Sequence, residues 1–368
     1  MTLHIFNPEH DIALASGLSN FTAPHAGRQL RHDLGFLPAL WAREGDVVMV
    51  DDAEQAEREW HKLAHRIRTL LGTESLPGLN SQFTRTKLPV YSGQNFSVLP
   101  WGWNSALRAM LLRRGVSENL LPTLPQLEAI RQLSHRRTAA RLLPKLRMEG
   151  TVGEAFECRT PEEVEALLVR YGQLVMKAPW SSSGRGLRFL SAGRTPLAMH
   201  AGWFRNVAAA QDCVIVEPYY NKVKDFGMEF MSDGKGHISY LGLSLFDTAN
   251  GAYTGNVIAT ERTKKGMITR YVPEGLLNEV KEKICLETGQ VLDGHYCGPF
   301  GVDMMVVAQP SSSQLPNSDF FLHPCVEINL RRTMGHVALS LTPTDDDLRR
   351  VMRVEYSDNC YKLKIERQ

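Results

Sequence analysis

The residues best suited to chemistry gather in three stretches. The most suggestive pairs FGVDMMVV, with Asp303, and CVEINLRR, with Glu327, Asn329 and Arg331. Side chains at i and i+2 of a strand share one face, so Glu327, Asn329 and Arg331 project together. Asp303 sits mid-strand among apolar residues, where an unpaired carboxylate costs on the order of several kcal/mol. Two carboxylates and an amide converging on one face suit Mg2+, a hard cation that takes one or two carboxylates and leaves its other positions to phosphate oxygens. Arg331 adds a planar fork for phosphate. The alternative is a buried hydrogen-bonded network, but its two acids would still need cationic compensation.

The second stretch is LVMKAPWSSSGRGLRFL, residues 174–190. An apolar strand ends in Lys177, a small-residue loop follows from Ser181 to Gly186, and a second strand resumes at Leu187. Glycines and hydroxyl residues let backbone N–H groups approach an anion, and the lysine adds a point charge for phosphate. The P-loop pattern GxxxxGK[ST] occurs nowhere in the chain, and this loop leads into a strand where a P-loop leads into a helix. A mobile hairpin tip with a solvated lysine explains the same residues. The third stretch is VIVEPYY, where Glu217 closes an apolar strand. Its carboxylate suits ribose hydroxyls while nearby backbone groups address an adenine edge, and Asp225 can reach the same sugar. A merely solvated strand-end glutamate is the competing reading.

Positioning these groups takes a particular set of elements. LHIFN (3–7), GDVVMVDD (45–52) and FSVLPWGW (96–103) read as strands. Ala53 to Leu71 has helical spacing, with Leu63, Ile67, Leu70 and Leu71 on one face. Asn104 opens a further helix. Strand–helix alternation over the first 115 residues predicts a small parallel sheet with helices on its faces. Past Pro122 the spacing predicts short helices around Pro125 and Ser134, a strand at FECRT, and a helix at PEEVEALLVRYG. After a helix near 195–209, long β segments dominate (CVIVEPYY, DFGMEFMS, HISYLGLSLF, FGVDMMVV and FFLHPCVEINL), with a single amphipathic helix over 274–292. Successive strands predict an antiparallel sheet in the second half. QPSSSQLPNSD (309–319) reads as a flexible hairpin tip.

Composition excludes several function classes. The 42 basic and 40 acidic side chains leave a net charge of +2, too little for a general attraction to nucleic acid or membrane surfaces. No apolar run approaches the roughly 20 residues that span a bilayer. MTLHIFNPEHD reaches charged residues too early for a signal peptide. Cys158, Cys213, Cys285, Cys297, Cys325 and Cys360 form no CxxC pair, which predicts reduced thiols and a cytoplasmic location.

Taken in order, Lys177 with SSSGRG, Glu217 of VEPYY, Asp303, and the E-x-N-x-R run of Glu327, Asn329 and Arg331 resemble the ATP-grasp superfamily. The similarity runs from about Leu133 to Ser340, over half the chain. SHRRTAARLL (134–143) resembles that family's DKxxxxRLL helix, with His135-Arg136 in place of Asp-Lys. The resemblance implies an α/β chain that is α+β in its second half: a Rossmann-like domain (1–120), a small lid subdomain (121–205), and a central antiparallel-sheet subdomain with the magnesium site (206–368). It implies that Lys177 contacts adenine and an α-phosphate, and that Arg136 replaces the first phosphate-binding lysine. Ser182, Ser183, Gly184, Arg185 and Gly186 would cover the β- and γ-phosphates. Glu217 and Asp225 would bind ribose, while Asp303, Glu327 and Asn329 hold Mg2+. Arg331 would stabilise the transferred phosphoryl group. The loop is poorer in glycine than is usual for the family.

The reaction so implied is activation of a small-molecule or peptide carboxylate by Mg·ATP and its joining to an amine or thiol, with a homodimer as one arrangement. A kinase acting on a hydroxyl, or a non-catalytic nucleotide-binding module, is the alternative. NPEHD (7–11) follows the first strand, where a doubly wound sheet presents its ligand crevice. Asn7, Glu9, His10 and Asp11 either meet substrate there or form a turn with Asp11 as a helix N-cap. WGWN (101–104) reads as an aromatic plug beneath a domain interface. FDTANGAYTGN (246–256) reads as a polar loop carrying Tyr253, Thr254 and Asn256 near the acceptor. Arg262 is a candidate for phosphate or substrate carboxylate, and Lys264 and Lys265 read by default as a solvated charge run.

Overall fold

Alternation of apolar residues and turn signals places three sheets along the chain. The computed structural model describes residues 1–72, 82–84, 96–181, 186–249, 252–308 and 319–367. The first sheet holds Thr2–Ile5 (β1), Val47–Met49 (β2), Gln82–Thr84 (β3) and Ser97–Pro100 (β4), all parallel, in the order β3-β2-β1-β4. Successive strand residues point to opposite faces. Leu3, Ile5 and Val98 therefore pack on Leu107 and Leu111 of the helix Ser105–Arg113, whereas Phe6 and Val48 pack with Trp60, Leu63 and Ile67 of the helix Ala53–Leu71. Asn104 caps its helix by accepting from the Leu107 N–H at 2.9 Å. Helices His10–Ser16 and His25–Leu34 lie between β1 and β2, where the sequence reading places no element.

The second sheet is antiparallel: Phe156–Cys158 (β5), Gln173–Lys177 (β6), Leu187–Ser191 (β7) and Val214–Pro218 (β8), ordered β5-β8-β6-β7. β8 follows residue 205 and pairs within this sheet, not the next. Helices Leu124–Leu133 and Arg137–Leu146 precede it, and capping boxes at Thr123 and Thr160 start two of the helices in this region.

The third sheet has seven antiparallel strands: Lys222–Asp233 (β9), Ile238–Ala249 (β10), Ala252–Ile258 (β11), Cys297–Ala308 (β12), Phe320–Asn329 (β13), Arg350–Ser357 (β14) and Cys360–Arg367 (β15), ordered β13-β12-β9-β10-β11-β14-β15. The run 246–256 therefore belongs largely to β10 and β11, with Tyr253, Thr254 and Asn256 in a strand. The helix Glu274–Leu292 matches its expected span, but a second helix, Glu261–Ile268, stands where a solvated charge run was expected. Its Lys264 is 2 % exposed and donates to the Leu243 carbonyl at 2.6 Å. One face of the sheet buries Phe226, Met228, Phe230, Phe300, Val302 and Met304. Trp101 sits in a core shared with Val337, Met352 and Leu363, so the first sheet docks on the third through the aromatic plug read from WGWN.

Candidate active site

The opposite face of the third sheet carries the polar residues. Strict alternation in DFGMEFMS sends Phe226, Met228 and Phe230 to the core and leaves Asp225, Gly227 and Glu229 on the other side. On β12 the same logic leaves Gly301, Asp303 and Met305 there, and the ladder sets Asp303 opposite Glu327 of β13. The Asn329 amide donates to Asp303 Oδ2 at 3.1 Å. Arg331, just past β13, donates from Nη2 to Asn329 Oδ1 at 2.9 Å. Arg136, at the start of the helix Arg137–Leu146, donates to Glu327 Oε2 at 2.8 Å and is nine-tenths buried. The pair Arg136–Glu327 and the chain Asp303–Asn329–Arg331 thus stand side by side, set there by the ladder between β12 and β13.

Burial, then the Glu327 charge and then Glu229, push the Asp303 carboxyl up to about 8. With Asp303 itself, four carboxyls gather here (Asp11, Glu229, Asp303 and Glu327) against the guanidiniums of Arg136 and Arg331. The donor set fits a magnesium ion: hard oxygens from two opposed strands, and a surplus of negative charge that a divalent cation would compensate. Among the described residues no three of His, Cys, Asp and Glu cluster as metal ligands, so the candidate set is the two carboxylates with the Asn329 amide.

Lys177 and Glu217 form a second group. Lys177 Nζ donates to Glu217 at 2.7 Å, with side chains 9 % and 6 % exposed, so neither is a solvated strand-end charge. Cys325 links the groups in space: burial and then Asp303, Glu217 and Glu327 raise its thiol. His323, opposite Met305, is fully buried, and burial lowers it to about 4. Asp225, on the neighbouring rung, accepts from Lys222 at 2.5 Å and Thr248 at 2.6 Å. Of the expected phosphate loop, Ser182, Ser183, Gly184 and Arg185 lie outside the described residues. Gly186 closes the turn by accepting from the Ala178 N–H at 2.9 Å.

The amino-terminal segment reaches this face directly. His10, Asp11, Pro179, Trp180, Glu327 and Asn329 line one cleft where all three sheets meet. Asp11 is not an N-cap. It lies in the first turn of its helix and accepts from Arg331 twice, Nε at 2.8 Å and Nη2 at 2.7 Å. Burial pulls the Arg331 guanidinium down, and Asp11 together with Glu327 and Asp303 more than reverses this, leaving it above its ordinary value. The Arg331 fork, expected to be open for phosphate, is turned to Asp11. Asn7 bonds Gly102 through both amide atoms. A Cβ at Gly102 would come within 2.6 Å of His10, which only glycine avoids.

Two buried clusters lie on this face, and the first of them, around Glu229, escaped sequence reasoning. Glu229 accepts from Thr333 at 2.8 Å and lies 2.9 Å from His336. Asn256 donates to Ser244 at 2.9 Å and accepts from Tyr253 at 2.6 Å. A Cβ at Gly335 would fall 1.8 Å from Glu229, so the helix Met334–Leu339 is tied down over this carboxylate. The alternation of DFGMEFMS was the signal that could have found it.

No protein-family profile matches the sequence. No curated protein sequence matches it. Solved structures do. The biotin carboxylase domain of Hydrogenobacter thermophilus 2-oxoglutarate carboxylase, in complex with MgADP, ADP and bicarbonate, superposes with a TM-score of 0.51 at 11% identity, covering 96% of this chain and 74% of that one. Staphylococcus aureus N5-carboxyaminoimidazole synthetase with ADP (TM-score 0.46, 13% identity, 97% and 83% covered) and Campylobacter jejuni biotin carboxylase with ATP (0.48, 12%, 98% and 77%) are also similar. At these identities the likeness is one of fold. A small parallel sheet followed by antiparallel sheets matches the architecture of these neighbours, and the chain has the ATP-grasp fold.

Proposed function

We propose that the chain is an ATP-dependent ligase that phosphorylates a carboxylate to an acyl phosphate and passes the acyl group to an amine or thiol, releasing ADP and phosphate. The observation that carries this reading is the group Arg136–Glu327–Asp303–Asn329–Arg331 on one sheet face, beside the buried Lys177–Glu217 pair. The MgADP and bicarbonate in the Hydrogenobacter domain support a nucleotide and a carboxylate-like substrate in this cleft.

Phosphoryl transfer needs positioning and charge compensation more than covalent help from protein. Asp303, Glu327 and Asn329 would hold Mg2+, which supplies charge neutralisation of the phosphates. Lys177 and Glu217 would address the nucleoside end, Asp225 the ribose, and Ser182 to Gly186 the β- and γ-phosphates. Arg136 places a guanidinium beside Glu327 for a phosphate oxygen. Four of the five Arg331 N–H groups are engaged by Asp11, Asn329 and the Arg332 carbonyl. Arg331 therefore serves the transferred phosphoryl through its charge and one remaining N–H. A carboxylate oxygen attacks the γ-phosphorus, the bond to the ADP oxygen breaks, and ADP leaves. The acceptor lone pair then attacks the acyl carbon, phosphate departs, and the acceptor proton is lost.

The test is a screen of amino acids and small carboxylates for stimulated ADP release from Mg·ATP. Active substrates should give release that Glu327→Ala abolishes without unfolding the chain. Turnover by Glu327→Ala at the wild-type rate would sink the assignment.

A further inference from the structure

Arg331 stands next to two carboxylates that should be reserved for a cation. Both Glu327 and Asp303 act on its guanidinium, and its Nη2 already reaches the Asn329 amide. Arg136 already pairs with Glu327, and a second arginine on these acids would cancel the charge that remains to attract a divalent ion. Asp11 prevents this by taking the fork face-on, with two charge-assisted bonds of 2.8 and 2.7 Å between side chains each 18 % exposed. Asp11 comes from the far end of the sequence, 320 residues away.

Resting on the proposed cation site, we infer that Asp11 is a positioning residue: it holds Arg331 off Asp303, and off the Glu327 oxygen that Arg136 leaves free, and so keeps those oxygens available to the metal. The pair is not needed merely to dock the first sheet. The Arg332 N–H donates to the Trp101 carbonyl at 2.8 Å, the Arg332 guanidinium lies 4.4 Å from the centre of the Trp41 ring, and a shared apolar core fastens the same two regions. What Asp11 adds is the direction in which Arg331 points. A group that hydrogen-bonds a metal ligand is typically worth about 10- to 100-fold in metal affinity, and Asp11 acts through such a group, Arg331, whose Nη2 donates to Asn329.

The experiment reads Mn2+ binding by electron paramagnetic resonance on the full chain saturated with ADP, with thermal melting alongside. Asp11→Asn should weaken Mn2+ at least about tenfold, while metal-free ADP affinity holds. Asp11→Glu should recover most of the loss. Adding Arg331→Gln to Asp11→Asn should also recover it, because no arginine is left to compete, and this arm does not depend on Asp11→Asn alone being well behaved. Equal Mn2+ affinity in wild type and Asp11→Asn overturns the inference and leaves the ligase reading intact. So does a loss that neither Asp11→Glu nor Arg331→Gln reverses, with a matching fall in melting temperature. No Mn2+ binding by wild type with ADP overturns both.

Discussion

Raising the pH from 6 to 8 should tighten Mg2+ binding by about fiftyfold, because a carboxyl must lose its proton before it can ligate. The magnitude follows from Asp303, which burial, then Glu327 and Glu229, hold protonated up to about 8. Well below that value only the ionised fraction binds, so affinity climbs about tenfold per pH unit and flattens above it. The fold responds in the opposite sense. Asp303 is raised from 3.8 to about 8, so between these values the folded chain holds a proton that the unfolded chain releases. Its contribution to stability is complete below the lower value and is lost as pH rises through the upper one. Without metal the melting temperature should therefore fall from pH 5 towards pH 8, and Mg2+ with ADP should restore it. Calorimetric titration of Mg2+ into ADP-saturated protein at pH 6, 7 and 8 measures the slope, with Asp303→Asn controlling for titration of the nucleotide itself. A flat affinity, or the same slope in Asp303→Asn, would refute the reasoning.

Glu217→Ala strands the buried Lys177 charge and should cost about 3–5 kcal/mol; adding Lys177→Met should return much of that stability without restoring nucleotide binding, as denaturant melts and ATP titrations would show. Arg136→Ala should weaken Mg·ATP binding about tenfold, the worth of one charge-assisted bond, with Arg136→Lys within a few-fold of wild type; equal loss in both would remove the phosphate role. Lys264→Met should leave nucleotide affinity unchanged and alter only stability, by about 1–3 kcal/mol, since its ammonium serves the Leu243 carbonyl.

Much of the fold was legible because apolar periodicity and capping chemistry act locally. Ala53–Leu71 and Glu274–Leu292 form helices over their expected spans, and Asn104 caps as read. The set Asp303, Glu327 and Asn329 was legible for the same reason: strand alternation fixes a face, and the ladder then brings Asp303 opposite Glu327. What escaped depends on distant partners. Lys264 reads as a surface charge until Leu243 is known to lie above it. Asp11 looks like a helix cap until residue 331 arrives. Glu229 was visible in the alternation of β9, but its partners Thr333 and His336 lie over 100 residues away. β8 resembles the strands after it, and only pairing shows that it lies between β5 and β6 in the four-stranded sheet.

The most direct test of the account is to incubate the chain with Mg·ATP, hydroxylamine and each carboxylate that stimulates turnover, then to resolve the nucleotides by anion exchange. An acyl phosphate intermediate predicts a hydroxamate formed one-for-one with ADP. Arg136 and Arg331 gather positive charge beside Glu327 and Asn329, where the proposed γ-phosphoryl transfer would take place. AMP and pyrophosphate as the main products, or ADP with a stable phosphoester and no hydroxamate, would contradict it.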